Sequence, residues 1–420
     1  MFKAQFSWGK VTDTKQRSLS LFLCLMVMGF VSGVPFILTL STLSIWLAEL
    51  GFNTKTIGIF TSVSLPYALK FLWAPFIDKL ELPFLKFLHP IKRFGFISLI
   101  LLFLALIYLA HLDPKTNIIL LAVTATFVSF FAATHDIVLD TLRIYASDPK
   151  FVGGGAASEA IGFRAGMLAA GAGAVYLSAV IGWKGAYITM AICCLSGIIS
   201  LWYLPNPSVK KVKNKATNTK ELFLLPLKSL LDLPKLYPLI GFILTIKIAG
   251  TVMNALGAPF LLELGFSKIE YASISKVYGT SLMLLGSFIA GFIVHKRGTT
   301  YCLKFSAILQ MSACFLFIIL AILKSHSIEL LIFTLSIESF STGLLATGFI
   351  SYLSLFCQAP FIASHFTLLY SFGSLARVMA SVTGGQIADS LGWPILFAFA
   401  TCTIIPALIF LKKSTSKIGI

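Results

Sequence analysis

Long blocks without charge govern what this chain can become. The stretch from Phe94 to Ala110, FGFISLILLFLALIYLA, holds no charged residue, and comparable blocks recur along the sequence. A bilayer core of roughly 30 Å is crossed by about 20 helical residues. Charged residues make up 12% of the 420, and hydrophobic ones 57%. A soluble domain carries about 25% charged residues, so this chain cannot clothe a water-facing surface. The apolar runs are continuous, which excludes the alternating segments of about 10 residues found in a membrane barrel. The expectation is an all-α integral membrane protein with twelve transmembrane helices. The spans are read at 18–47, 57–78, 94–111, 117–142, 156–181, 185–204, 237–262, 270–294, 301–323, 328–355, 361–387 and 393–411.

The net charge of +17 could suggest a nucleic-acid partner, but its distribution argues against one. With twelve spans both termini lie on one side. That side holds 23 of the 33 Lys and Arg. The opposite side holds Lys55, Lys115, Lys184, Lys268 and Lys324, and Lys70, Arg164, Lys247, Lys276 and Arg377 fall within spans. This asymmetry predicts cytoplasmic termini, with the basic excess in contact with anionic membrane lipids. No nucleic acid is expected. The seven cysteines all lie in apolar spans without metal-site or redox spacing, so they read as small packing residues, and no metal site is expected. Lys10 to Arg17 before an apolar run resembles a signal peptide, but the run continues to Trp46 without a small-residue cleavage site.

Six spans precede a basic linker, VKKVKNKATNTK (Val209 to Lys220), and six follow it. The expected division is a first bundle at 1–204, a cytoplasmic linker at 205–236 and a second bundle at 237–420. Fragments recur between the halves. ELGF stands at Glu49–Phe52 and at Glu263–Phe266, an offset of 214. APFIDK from Ala74 is matched by AGFIVHK from Ala290, an offset of 216, and Gly182-Trp183 by Gly392-Trp393, an offset of 210. The matched helices run the same way. They predict two parallel six-helix repeats related by an axis along the membrane normal, as in major facilitator transporters.

Charges inside spans are costly, at roughly 2.5–3.5 kcal/mol each, and so mark cavities or partners. Span 4 reads ATHDIVLDTLRIY from Ala133. Asp136, Asp140 and Arg143 share one face, and His135 is rotated from it by about 100°. These, with Glu159 near the start of span 5 and Glu338 in span 10, are candidates for proton coupling or gating, because burial and a nearby cation set a carboxylate's protonation in opposite directions. Fixed salt bridging is the alternative. Lys70, Arg164, Lys247 and Arg377 are candidates to bind an anionic substrate, with Tyr67 and Asn254 as hydrogen-bonding groups. The plainer reading of Lys70, Lys247 and Arg377 is snorkelling or a pair with an acid on a neighbouring helix, Lys70 and Arg377 lying deep for snorkelling; for Arg164 the alternative is a pair with Asp136, Asp140 or Glu159. Asp78, Lys79 and Arg93 follow span 2 as a candidate conformational loop, in which Asp78 accepts hydrogen bonds from helix ends or pairs with Lys79, Lys92 or Arg93. Gly and Pro in GFVSGVPF (Gly29–Phe36) and GTVMNALGAPF (Gly250–Phe260) predict interrupted helices at matching depth. The glycines of Gly162 and Gly166 predict close helix packing. Trp46 and Trp73 are expected at the membrane interface rather than on a sugar, where Tyr370 is the third aromatic candidate.

PYALKFLWAPFIDK (Pro66–Lys79), ATHDIVLDTLR (Ala133–Arg143), GFRAG (Gly162–Gly166), GWKGAY (Gly182–Tyr187), GAPFLLELGF (Gly257–Phe266) and the stretch with Arg377 resemble the AmpG family of muropeptide permeases. The resemblance spans nearly the whole chain, and its span 2 motif is the most specific part. It implies a major facilitator fold in the inner membrane of a Gram-negative bacterium. It implies proton-driven import of N-acetylglucosaminyl-1,6-anhydro-N-acetylmuramyl peptides into the cytoplasm, for cell-wall recycling and, in some bacteria, β-lactamase induction. No cofactor is implied, and a monomer is the fold-level expectation. The family commonly has Gln where this chain has His135, which leaves open altered coupling or a changed substrate. A transporter of another large anion such as acetyl-CoA has a similar span 2 motif. A multi-spanning glycosyl or acyl transferase is disfavoured, since the opposite-side loops are short and gather no catalytic acids. A sensor or scaffold without transport is not separated by sequence.

Overall fold

Prolines and glycines decide where the helices break. The computed structural model describes residues 14–415 apart from 53, 80–87, 147–151, 207–218, 234, 268–269, 271 and 325. Most of the basic run Val209–Lys220, and Lys268, lie outside the described residues, as does the side chain of Lys276. No strand occurs among the described residues. The long helices are α1 (Thr14–Ile37), α2 (Pro90–His111), α3 (Ile118–Ala146), α4 (Val152–Leu168), α5 (Ala174–Cys194), α6 (Leu236–Glu263), α7 (Gly279–Arg297), α8 (Thr299–Leu323), α9 (Ile328–Ser354), α10 (Ile362–Leu391) and α11 (Trp393–Thr415).

Nine helices among the described residues are long and apolar enough to cross a membrane, against the twelve spans expected. The difference has local causes. One of the nine, Val152–Tyr203, covers two expected spans and turns at Gly182, whose φ of 73° suits glycine. The expected span at 57–78 is a chain of short pieces. Two of them, Thr61–Ser64 and Lys70–Leu72, are 3-10 turns. Each holds the residue four before a proline, Ser62 before Pro66 and Phe71 before Pro75, where a proline ring displaces the helical carbonyl. α10 is helical throughout, but its Ser, Gly, Gln and Asp residues lower its hydropathy. The interrupted-helix expectation holds for α1, which passes beyond Pro35 into a π turn at Leu38–Thr42. It does not hold for α6, which continues unbroken through Pro259. In a bilayer no water competes for the remaining backbone bonds, so a helix tolerates one lost donor.

The described chain forms two compact units. The first comprises Met1–Pro149, Ser158–Pro226 and Cys357–Thr367, and the second Lys150–Ala157, Leu227–Phe356 and Leu368–Ile420.

The sequence repeats are contacts. In the first unit Trp183 Nε1 donates to Glu49 Oε2 at 2.7 Å, and in the second Trp393 Nε1 donates to Glu263 Oε2 at 2.8 Å. Behind each bond stands a matched aromatic cluster. Trp46 packs on Trp183 and Tyr187 with centroids 5.8 and 5.3 Å away, and Phe260 packs on Trp393 and Phe397 at 5.2 and 4.9 Å. Trp46 is therefore buried, at 6% exposure, and not an interfacial anchor as expected. Trp73 also turns inward, donating from Nε1 to Thr134 Oγ1 at 3.1 Å and packing on Phe130.

Helices in lipid gain little from apolar burial against each other, so close backbone approach carries association. α1 and α4 meet through glycine on both sides. A methyl added to Gly162 would land on the Met26 carbonyl, and one on Gly166 on that of Phe30. Reciprocally, Gly29 faces the Glu159 carbonyl and Gly33 that of Phe163. Gly286 and Gly343 make the same approach between α7 and α9. Gly162→Val should lower the thermal midpoint in detergent by several degrees, since overpacking costs about 1–3 kcal/mol or more. Gly250→Ala, with open space around it, should leave the midpoint unchanged or raised. Equal melting of the two variants would refute the packing account.

Candidate functional site

Because α3 places side chains at i, i+4 and i+7 along one face, Asp136, Asp140 and Arg143 form a column. The 3-10 turn at Lys70–Leu72 brings Lys70 against it. Lys70 Nζ stands 3.9 Å from Asp136 Oδ2 and 3.6 Å from Asp140 Oδ2. Arg143 Nη2 reaches Asp140 Oδ1 at 3.0 Å, and Arg143 Nε bonds Glu159 Oε2 on α4. Ser32 of α1 donates to Asp136 Oδ1. Every one of these ionic side chains is largely buried, with Arg143 at 1% exposure. The guanidinium also lies over the Phe366 ring, 5.1 Å from its centroid. The ladder thus runs Asp136, Lys70, Asp140, Arg143, Glu159. It contains three carboxylates against two cations, one acid in excess.

Expected and observed partners differ in instructive ways. Glu159, a candidate for proton coupling or gating near the start of span 5, closes the ladder. Lys70, read as a substrate cation, is already held by two acids. Arg164 lies on α4 five residues beyond Glu159. His135 turns away from the acid column: its Nε2 lies 3.3 Å from the Met28 carbonyl, and its buried Nδ1 has no partner among the described residues. The ladder therefore does not include His135. Ser32 was not singled out from sequence, although a hydroxyl inside GFVSG is the signal that could have found it.

Tyr67 stands one turn before Lys70. Its ring meets Phe36 edge-on at 5.2 Å, and its buried hydroxyl has no hydrogen-bond partner among the described residues. An orphaned buried hydroxyl costs folding free energy, so Tyr67→Phe should preserve or raise the thermal midpoint. If the hydroxyl serves the transported molecule, the same variant should weaken its apparent affinity by roughly tenfold, the worth of one good hydrogen bond. Unchanged affinity in an uptake titration would remove Tyr67 from the site.

At the end of the helix Ala74–Lys79, Asp78 takes the helix-end alternative rather than a basic partner. Its carboxylate accepts from the backbone N–H of Ala363 at 3.0 Å, the N–H of Ser364 at 2.8 Å and the Ser364 hydroxyl at 2.5 Å. These are the first residues of α10, so Asp78 caps that helix from elsewhere in the chain, within the first unit. Lys79 Nζ sits 5.4 Å from the Phe361 ring centroid. Arg93 Nε donates to the Leu88 carbonyl at 2.9 Å, and Lys92 to that of Leu204.

In the second unit Lys247 Nζ lies 4.0 Å from the Phe349 ring centroid, within cation–π range. Tyr370 packs on the same ring, and exposed Arg377 donates to Ser374. Glu338 is drawn to Asn254, Thr342 and Ser339, a grouping that sequence reading missed because its members come from separate helices or are neutral. No cluster of three or more His, Cys, Asp or Glu suited to a metal ion occurs among the described residues.

The sequence and the fold match known membrane transporters. The sequence profile of the Major Facilitator Superfamily matches residues 21–325. A relative named transporter AmpG 3 in Rickettsia typhi is 30% identical over 397 residues, covering 92% of this chain and 93% of its own length. One named transporter AmpG 1 in Rickettsia conorii is 30% identical, covering 94% and 98%. Among solved structures, the major facilitator transporter FucP superposes with a TM-score of 0.73 at 11% identity, over 96% of this chain and 99% of that one. A bacterial homologue of the iron transporter ferroportin gives 0.72 at 13%, over 96% and 99%. Both likenesses concern the fold alone. With apolar helices of membrane length and transporter relatives along nearly its whole length, the chain is a multi-pass membrane transporter, not an enzyme, and belongs to the AmpG family of the major facilitator superfamily.

Proposed function

We propose that this protein imports peptidoglycan-derived anhydromuropeptides, N-acetylglucosaminyl-anhydro-N-acetylmuramyl peptides, from periplasm to cytoplasm by proton symport with alternating access. The reading places it in the bacterial inner membrane as a monomer with both termini cytoplasmic, in contact with anionic lipid and without a cofactor. Its substrate rests on the AmpG relatives and on interior cations suited to peptide carboxylates. Its energy source rests on one observation, the ladder of three buried carboxylates against two cations. A buried cluster with one acid in excess is balanced by one proton. Gaining or losing that proton changes which salt bridges are worth keeping. Asp136 and Asp140 share Lys70, and Asp140 and Glu159 share Arg143, so a proton on any one acid releases part of a cation's pairing. Arg164, Lys247, Arg377, Tyr67 and Asn254 are proposed to meet the substrate, and Asp78, Lys79 and Arg93 to make and break contacts as the conformation changes. The two six-helix halves are the bodies proposed to rock.

The test is uptake of labelled anhydromuropeptide into proteoliposomes, with and without an inward proton gradient. Accumulation that requires the gradient and collapses with a protonophore is the expected result. Absence of uptake by folded, correctly oriented protein would overturn the substrate reading, and acetyl-CoA in the same vesicles would then be the next solute.

A further inference from the structure

Between the sixth and seventh expected spans the chain forms a helix too short to cross a bilayer. Thr219–Leu231 has 13 residues, about 20 Å of rise, against a hydrocarbon core of roughly 30 Å. Phe223, Leu224, Leu227 and Leu231 fall within an arc of about 100° on its surface. All four are exposed, Leu224 at 59% and Leu231 at 61%. The adjoining side faces protein, with Pro226 and Leu230 buried. There the backbone N–H of Gln358 donates to Nδ1 of buried His365 at 3.3 Å, so Nε2 carries the proton and donates to the Pro226 carbonyl at 3.2 Å. The Phe223 ring meets Phe76 edge-on at 5.7 Å. The helix's one acid, Glu221, lies off the apolar arc and acts electrostatically on Lys79.

Charge and depth say what covers the exposed face. From 205 to 236 the sequence has seven lysines against two acids, five of the lysines in the run Val209–Lys220 that leads into the helix. Lys228 stands exposed beside the arc. An apolar stripe edged by lysine is the pattern of a helix lying in the headgroup region, and the lysines select an anionic surface. Aromatic residues mark the same level. Trp202 and Tyr203 end the helix before the linker, and Tyr237 stands at the start of α6, six residues after Leu231. All three are exposed, as in the aromatic belt of a membrane protein. A second copy of this chain would bring the same lysines against these and be repelled. We propose that the helix Thr219–Leu231 lies on the anionic surface of the inner leaflet, with Phe223, Leu224, Leu227 and Leu231 among the acyl chains and the basic run before it on the headgroups. Through Pro226 and His365 this anchor holds the start of α10. The inference rests on the proposed placement of the linker at the cytoplasmic face, and it needs no transported solute.

The decisive experiment is hydrogen–deuterium exchange of full-length, solute-free protein, one copy per nanodisc, in phosphatidylcholine alone or mixed equally with phosphatidylglycerol. Both leaflets of a disc have the same lipid, so the result does not hinge on which side the linker occupies. Amides of 219–231 should exchange roughly tenfold more slowly in the anionic discs, and added salt should narrow the difference. Leu224→Glu with Leu227→Glu should erase it while leaving the thermal midpoint in detergent unchanged, since both side chains are exposed. Lys228→Gln should reduce it. Equal exchange in the two disc types would overturn the proposal. So would slow exchange confined to discs holding two copies, which would make the face a dimer surface. Protection equal in detergent and in both discs, and lost in His365→Ala, would show that the protein alone holds the helix and would overturn it too. Failure of anhydromuropeptide uptake leaves these exchange rates unaffected, so the two readings fail separately.

Discussion

Asp140→Asn should abolish accumulation of the transported molecule while leaving exchange across the membrane intact. Asp140 stands between both cations of the ladder, 3.6 Å from Lys70 and 3.0 Å from Arg143. Replacing it by an amide leaves two carboxylates, Asp136 and Glu159, against the same two cations. That cluster is balanced without a proton. A carrier whose ladder needs no proton still binds and rocks, but it has no reason to carry one along. In vesicles with the potential clamped, a gradient of one pH unit is worth about 1.4 kcal/mol per proton, or about tenfold accumulation. The wild type should approach that ratio and Asp140→Asn should stop at equality, with counterflow retained. Arg143→Met is the contrasting case. It strands Glu159 in a buried site and leaves Asp140 with Lys70 alone, and losing one partner of a buried pair costs roughly 3–5 kcal/mol. It should fail to accumulate as folded protein, and the added change Glu159→Gln should recover folding but not coupled uptake. Proton-driven accumulation by Asp140→Asn equal to the wild type would exclude the ladder as the coupling site.

How much of this was readable beforehand follows from whether a partner is local. The column of Asp136, Asp140 and Arg143 is set by helical periodicity alone, and its sharing of one face was legible in ATHDIVLDTLR. The matched ELGF and Gly-Trp fragments were visible as repeats, but not that each pair meets in a Glu–Trp hydrogen bond, because that contact joins residues 134 and 130 positions apart. The glycines at 162 and 166 announced a close approach without naming Gly29 and Gly33 as the opposing surface. Lys70 was legible as a buried cation. Its partners were not, because the 3-10 turns imposed by Pro66 and Pro75 set its direction. Trp46 was misread as interfacial since a tryptophan near a span's end looks the same whether it faces lipid or a neighbouring helix. Glu338 stood out as an acid in an apolar run, yet its neutral partners carry no sequence signal of their own.

Asp78→Ala should produce the largest combined loss of stability and transport outside the ladder. The first N–H groups of any helix lack partners within it, and at α10 two of them are taken by a carboxylate from far along the chain. The charge also favours the positive end of the helix dipole. Hydrogen bonds to a charged group are worth about 1.5–3 kcal/mol each when a partner is removed, and shared donors make a total of about 2–3 kcal/mol a reasonable expectation. A change of that size alters the balance between conformations with and without the cap by roughly thirtyfold or more. The thermal midpoint should therefore fall by several degrees, and uptake should fall by at least about tenfold. The ordering of variants is the sharper test. Ser364→Ala removes only the hydroxyl contact and leaves both N–H bonds, so its effect should be the smallest. Asp78→Asn keeps an acceptor but loses the charge, and should lie between Ser364→Ala and Asp78→Ala in both melting and uptake. If Asp78→Asn matched the wild type in both, the acid would be an ordinary surface group. If melting alone followed the order while uptake stayed constant, the cap would be a structural fastening and not a contact remade during transport.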